Sequence, residues 1–377
     1  MPAKNKHFHS AFYALALLCL VIFAFLTFYN STSGAAGWLL ALFFICLAVA
    51  FRGNKVLKGL SFTVTIMSVV TIAMYHPTYF VTVGDFKLSL LMVPLLQIIM
   101  FGMGTELSLN DFVNVIKMPK GVIVGVACHF IIMPLVGFAI ATLFNFPSEI
   151  AAGIILIGCC PSGLASNVMS YLARANLALS VSVTTISTLL APLLTPMLMQ
   201  LLGGSFVNVD FGEMAWEITK IVILPTIAGL VFHHFLHGKF NWLDKIMPVI
   251  SMGGIAFILV IIVAAGRDNL LKVGGLLIVA TLIHNLAGYF LGYWSARLLK
   301  FKERDCRTIA IEVGMQNAGL ASGLALAMGK LATAGLAPAI FGPVMNITGS
   351  SLASWWHNHL PDDVEETTES AETLLVN

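Results

Sequence analysis

Apolar positions in this chain run in blocks of about twenty residues, separated by short polar or basic stretches, rather than alternating with polar ones. A helix crossing a hydrocarbon core of roughly 30 Å needs about 20 residues at 1.5 Å each. Twelve blocks meet that length. Two come first, near 11–29 and 35–51. Ten follow, near 60–80, 88–104, 120–144, 149–172, 176–201, 216–236, 246–265, 273–299, 306–328 and 332–355. The pattern predicts an all-α polytopic membrane protein with about twelve transmembrane helices. The first block follows Lys4 and Lys6, as a signal peptide would. Its apolar stretch is longer than the usual 7–15 residues, so it is read as a retained helix.

Composition removes the other classes. Of 377 residues, 58% are apolar and 10% are charged, against about 25% charged in soluble domains. Mean hydropathy is +0.93. A water-soluble enzyme, a disordered chain and a nucleic-acid binder are excluded on these grounds. The net charge of +2 hides a split, because six of the 18 acids follow Pro361, where there is no base.

The 20 bases test the topology, since twelve spans put both termini on one side. On that side fall Lys4, Lys6, Arg52, Lys55, Lys58, Lys117, Lys120, Arg174, Lys239, Lys245, Arg297, Lys300, Lys302, Arg304 and Arg307. Lys87, Arg267, Lys272 and Lys330 fall opposite, with Lys220 just inside that face. Positive charge gathers on the cytoplasmic side of membrane proteins. Both termini are therefore expected in the cytoplasm and the protein in a cell (inner or plasma) membrane. The polar, acidic stretch 357–377 is expected to be a disordered cytoplasmic tail. The six cysteines have neither zinc nor redox spacing and are read as packing residues.

Two segments repeat. Gly158-Cys-Cys-Pro-Ser-Gly163-Leu-Ala-Ser166 and Gly314-Met-Gln-Asn-Ala-Gly319-Leu-Ala-Ser322 share G-x-x-x-x-G-L-A-S at an offset of 156, and His129 precedes His284 by 155. Setting aside 1–55 as two additional helices, the remainder divides into five-helix units over 56–203 and 204–356. The motif stands in the fourth helix of each. Five is odd, so the second unit is expected to enter the membrane inverted.

The motifs predict broken helices. Pro161 removes a backbone donor, flanking glycines tolerate unwound geometry, and Gln316 and Asn317 place amides in the second segment. A break in a bilayer must face protein or a polar cavity. There its carbonyls can bind a cation and its half-helix N-termini can face an anion. A proline kink used for packing is the plainer alternative, and it explains a single break better than a matched pair. Glu312 lies just before the second break, where a carboxylate costs at least about 2.5 kcal/mol. No base lies deep in any span, which leaves a bound cation or a proton as its partner. Ser166 and Asn167 follow the first break, and Ser180 and Thr184 share a helical face. Such oxygens suit a small hard cation. No nucleophile–base constellation or phosphate-binding loop is present, so no enzyme is predicted.

These stretches resemble the bile acid:sodium symporter family of secondary transporters. The matching segments are IIMFGMG near 98–104, ILIGCCPSGLASNVMSYLARAN at 155–176, ALSVSVTTISTLLAPLLTP at 178–196, IHNLAGY at 283–289 and IEVGMQNAGLASGLA at 311–325. The resemblance implies ten core helices in two inverted five-helix repeats, with broken helices four and nine crossing near the midplane. It also implies two Na+ sites. The first matches Ser166, Asn167, Ser180, Thr184 and Glu312. The second matches Glu312, Gln316 and the backbones of Val313 and Met315. Its remaining ligand, a glutamine in the family, is here His129, which leaves that site weak, pH-sensitive or proton-linked, or else a packed histidine. The family's WHN is here Val344-Met345-Asn346, and Leu164 replaces a frequent threonine.

The expected function is sodium-coupled symport of a small or bile-acid-like organic anion by alternating access. Gly163 and Ala318 mark the half-helix N-termini facing the anion, with Asn317 and Asn346 orienting it. The alternatives are a proton-coupled transporter using Glu312 and His129, or a membrane sensor that binds without transporting. Partners are the anion and the lipid bilayer, with no nucleic acid. The sequence sets neither substrate identity nor oligomeric state.

Overall fold

The structure is a computed structural model describing residues 3–29, 34–54, 57–236, 241–359 and 361. Within these, every expected apolar block coincides with a helix or an interrupted pair of helices. Helices α1 (Ala3–Tyr29) and α2 (Gly34–Phe51) pack on one another, and α2 packs on α3 (Ser61–Tyr75). Hydroxyls fix that last contact: Ser68 Oγ donates to the Ala41 carbonyl at 2.9 Å and Ser61 Oγ to that of Ala48 at 2.8 Å. Most of α1 remains exposed, Phe28 to 91%, as suits a lipid-facing helix. The acidic stretch 362–377 lies outside the described residues.

Pro77 follows α3 and starts the one-turn α4 (Thr78–Val81). A hairpin of β1 (Thr82–Val83) and β2 (Phe86–Lys87) returns the chain, with Gly84 at φ +58° in its turn. These short elements replace the last turn of the expected block at 60–80. Next come α5 (Met92–Glu106) and α6 (Leu109–Lys117), the latter started by a reciprocal Ser108–Asp111 capping box. Its mixed polar and apolar faces, rather than a continuous apolar run, explain why span hunting passes over it.

The chain continues through α7 (Pro119–Leu143), α8 (Ser148–Cys159), α9 (Ala165–Leu172) and α10 (Leu177–Leu198), which ends in a π-helical turn at Met199–Gly203. Then follow α11 (Phe211–Ile218), a π-helical turn at Thr219–Ile223, α12 (Leu224–Leu236), α13 (Asn241–Ala265) and α14 (Arg267–Leu298). The last three are α15 (Glu303–Gly314), α16 (Ala318–Ala327) and α17 (Leu336–His357). Helix α14 starts six residues before the expected block, because charged Arg267, Asp268 and Lys272 extend it beyond the apolar run. Among the described residues, seven spans are long and apolar enough to cross a bilayer, and four shorter apolar helices accompany them.

Helix α7 packs on α8, α10, α14 and α15; α17 packs on α8, α9, α14 and α16; and α5 packs on α12, α13 and α16. Glycines permit the closest approaches. A Cβ on Gly104 of α5 would lie 2.1 Å from the Thr226 carbonyl oxygen, and one on Gly153 of α8 would lie 2.2 Å from that of Ala334. Lipid supplies no hydrophobic drive between helices, so such backbone contact is what holds them together. The deepest core is α8 and α15, where Ile154–Ile157 and Ile309–Ile311 are fully buried. Those two helices carry the breaks.

Candidate functional site at the crossing of two broken helices

The first interruption lies between α8 and α9, the second between α15 and α16. At Pro161 the chain cannot donate to residue 157, and the ring clashes with the preceding turn. The extended segments meet as an antiparallel pair, Ser162 opposite Gln316. Asn317 N–H donates to the Pro161 carbonyl at 2.9 Å, and Gly163 N–H to that of Met315 at 3.3 Å. The two broken helices thus pass through their crossing in opposite senses. Gly163 is required there, because a Cβ would lie 2.7 Å from the Gln316 carbonyl oxygen.

Carbonyls released by the breaks must find donors, and neighbouring helices supply them. Thr195 Oγ1 donates to Cys159 O at 2.8 Å, and Asn285 Nδ2 to Gly314 O at 2.8 Å. Gln316 Nε2 donates to Val313 O at 2.7 Å, and Ser162 Oγ to Met315 O at 3.2 Å. Asn285 is itself held by Thr348 Oγ1 at 2.5 Å.

Ser166, Asn167, Ser180, Thr184 and Glu312 converge beside the crossing. Ser180 Oγ lies 2.5 Å from Glu312 Oε1 and 2.9 Å from Asn167 Oδ1. Thr184 Oγ1 lies 2.9 Å from Glu312 Oε2, 3.3 Å from Asn167 Oδ1 and 3.3 Å from Ser166 Oγ. Ser162 Oγ, 3.3 Å from Ser166 Oγ, extends the group. Glu312, Ser166, Ser180 and Ser162 are fully buried. Among the described residues, no basic side chain pairs with Glu312. With Asn167 presenting its oxygen to both hydroxyls, four hydroxyl protons serve seven close oxygen–oxygen contacts. At least three contacts therefore bring oxygens together without a hydroxyl proton between them. That is the donor set of a hard cation.

His129, also fully buried, bridges the two breaks. Its Nδ1 lies 2.9 Å from the Glu312 carbonyl oxygen and its Nε2 2.8 Å from that of Cys160. The other members expected with it, Val313, Met315 and Gln316, surround the second break. The carbonyls of Val313 and Met315 already accept protein donors, whereas Gln316 Oε1 is buried without a partner. His284, 155 positions after His129, is buried on α14 and donates from Nε2 to the Met133 carbonyl at 2.9 Å.

A cavity of about 330 Å³ adjoins the crossing. Gly163, Asn317, Ala318 and Asn346 all line it, together with apolar side chains of α5, α13 and α17. Asn317 Oδ1 caps α16 by accepting from Leu320 N–H at 3.0 Å. Its amide NH2 is left without a protein partner among the described residues. Sequence reading missed Ser162, Glu106 and Ser251 in this region. Ser162 stands inside the repeated motif and was legible there. Glu106 lies two residues beyond IIMFGMG, and Ser251 carries no signal.

Comparison with known proteins agrees with this architecture. The model of the sodium bile acid symporter family matches residues 93–273. The chain is 45% identical over 262 residues to the uncharacterized sodium-dependent transporter YocS of Bacillus subtilis, covering 69% of this chain and 81% of that one. It is 35% identical over 272 residues to the probable chloroplastic sodium/metabolite cotransporter BASS1 of Arabidopsis thaliana, covering 72% and 68%. It is 34% identical over 245 residues to the human ileal sodium/bile acid cotransporter, covering 62% and 69%. The chain, a multi-pass helical membrane protein, belongs to the sodium bile acid symporter family of sodium-dependent transporters and is not an enzyme.

Proposed function

We propose that the protein is a sodium-coupled symporter of an organic anion, working by alternating access between two inverted five-helix repeats. The observation that carries this reading is the buried oxygen cluster around Glu312, with more close oxygen contacts than hydroxyl protons and no basic partner among the described residues. A sodium ion among Ser166, Asn167, Ser180, Thr184 and Glu312 neutralises the carboxylate and ties α10 and α9 to α15. The ordered breaks then present the start of α16 to an anion, whose carboxylate or sulfonate meets the free amide of Asn317 and the Asn346 side chain. The cavity reaches from the breaks to Glu106 at the C-terminal end of α5, from which the chain leads through α6 to Lys117. Positive-inside logic makes that end cytoplasmic, along with both termini.

In this reading one sodium ion is carried. The His129 ring stands where the family has a glutamine ligand and is held against the carbonyls of Cys160 and Glu312. The same geometry leaves a second reading, proton coupling, in which the ring takes up a proton during transport. Both oxygens only accept hydrogen bonds, so a neutral ring donates to one of them and a protonated ring to both. Uptake into proteoliposomes under separately imposed sodium and pH gradients separates the two. A sodium gradient alone driving accumulation of a taurine-conjugated bile acid or a small carboxylate supports the first reading. Accumulation under the pH gradient alone supports the second.

A further inference from the structure

The cavity has two unlike ends. One lies at the crossing, where Gly319 and Gly323 of α16 approach Leu96 of α5, so that a Cβ on either would stand 3.2 Å or 2.6 Å from its methyl carbons. The other lies at the C-terminal end of α5, at Glu106. Ten helical residues separate Leu96 from Glu106, about 15 Å along the axis. A Cβ on Gly102 would lie 3.6 Å from Ser251 Oγ, which sets that hydroxyl against the face of α5 shared by Gly102 and Glu106. Glu106 is exposed and is the one charged side chain lining the cavity among the described residues. Its carboxylate has no hydrogen bond or ion pair among the described residues, and it sits at a helix C-terminus, the end that disfavours negative charge. Neither packing nor helix stability accounts for an acid at this position.

We propose that Glu106 sets the charge of the substrate. The cavity takes an elongated organic monoanion or zwitterion whose acid group lies at the start of α16 and whose far end, neutral or cationic, lies beside Glu106 and Ser251. A second acid group at the far end meets Glu106 and is rejected, so dianions are excluded. This inference rests on the organic-anion reading above. Like charges set against one another oppose binding and suppress the wrong ligand.

The test uses the purified full chain in saturating sodium and three rigid probes of matched length. These are biphenyl monocarboxylate, the biphenyl dicarboxylate with its second acid at the far para position, and the corresponding aminomethyl carboxylate. Calorimetry on the wild type should find the diacid about tenfold or more weaker than the monoacid, and the zwitterion at least as tight. Glu106→Gln should bring the diacid to within about threefold of the monoacid, and Glu106→Lys should make it the tightest of the three. A diacid equal to the monoacid in the wild type, or an order unchanged in both variants, overturns the role of Glu106. Failure of the monoacid itself to bind in sodium overturns the organic-anion reading, and the role assigned to Glu106 falls with it.

Discussion

Ser180 of α10 gives its hydroxyl to Glu312 of α15 at 2.5 Å, joining residues 132 positions apart. The contact ties α10, the helix after the first broken pair, to the helix leading into the second break. Whatever binds at Glu312 therefore acts on both at once.

If the oxygens around Glu312 hold sodium, removing a hydroxyl should weaken the ion without unfolding the chain. Ser180→Ala and Thr184→Val are each expected to raise the half-saturating sodium concentration about tenfold, the equivalent of about 1.4 kcal/mol. Initial uptake rates measured against sodium at fixed ionic strength report this directly. Unchanged half-saturation in both variants would remove these hydroxyls from the site.

His129 offers a gain-of-coupling test. His129→Gln places an amide oxygen near the carbonyls of Cys160 and Glu312, in a site whose Gln316 Oε1 is buried without a partner. The sodium Hill coefficient is expected to rise from about one toward two, since cooperativity is bounded by the number of sites. A coefficient that stays at one would show that His129 does not take the place of a second ion.

Backbone contact at the crossing leaves no room for a methyl group. Gly163→Ala places a carbon 2.7 Å from the Gln316 carbonyl oxygen and must part the two segments. Overpacking of this kind costs about 1–3 kcal/mol. Uptake should fall at least tenfold and the melting temperature should drop, as thermal unfolding in detergent would measure. Gly329→Ala, at the left-handed turn after α16 with open space around it, should lower stability while leaving sodium affinity alone.

Arg307 was legible in the sequence only as one of the bases marking a side of the membrane. In the fold it is 3% exposed and donates to Glu303 Oε1 at 2.8 Å and to the carbonyls of Ala173, Trp356 and His359. A lysine has no planar fork with which to reach these acceptors together. Arg307→Ala is expected to cost about 3 kcal/mol by breaking this buried pair, with Glu303 left to the Tyr293 hydroxyl and Arg297, and Arg307→Lys to cost less because it keeps a charge opposite Glu303. Folded yield by size-exclusion chromatography checks this.

Much of the site was readable in advance because a bilayer punishes polar groups. Glu312, Pro161 and the amides of Gln316 and Asn317 stand out in apolar runs for that reason. Repetition of the motif at an offset of 156 then pairs the two breaks before any geometry is known. Helix capping beside the membrane was not readable in this way. Helix α6 follows ordinary soluble rules, and its Ser108–Asp111 box carries no hydropathy signal. The cavity wall was also illegible, since Ser251 meets α5 only through the tertiary contact at Gly102. The bridging of two carbonyls by His129 follows from a crossing that brings residues 31 and 183 positions away to one ring.

The central claim is that sodium binds at Glu312, and it can be tested without knowing the substrate. Thermal unfolding of the purified protein should be compared in sodium and potassium chloride at equal ionic strength, for the wild type and Glu312→Gln. A ligand held only by the folded state at ten times its Kd stabilises by about 1.4 kcal/mol. The wild type should therefore melt several degrees higher in sodium than in potassium, and Glu312→Gln should melt equally in both. A sodium-specific shift that persists undiminished in Glu312→Gln would contradict the account.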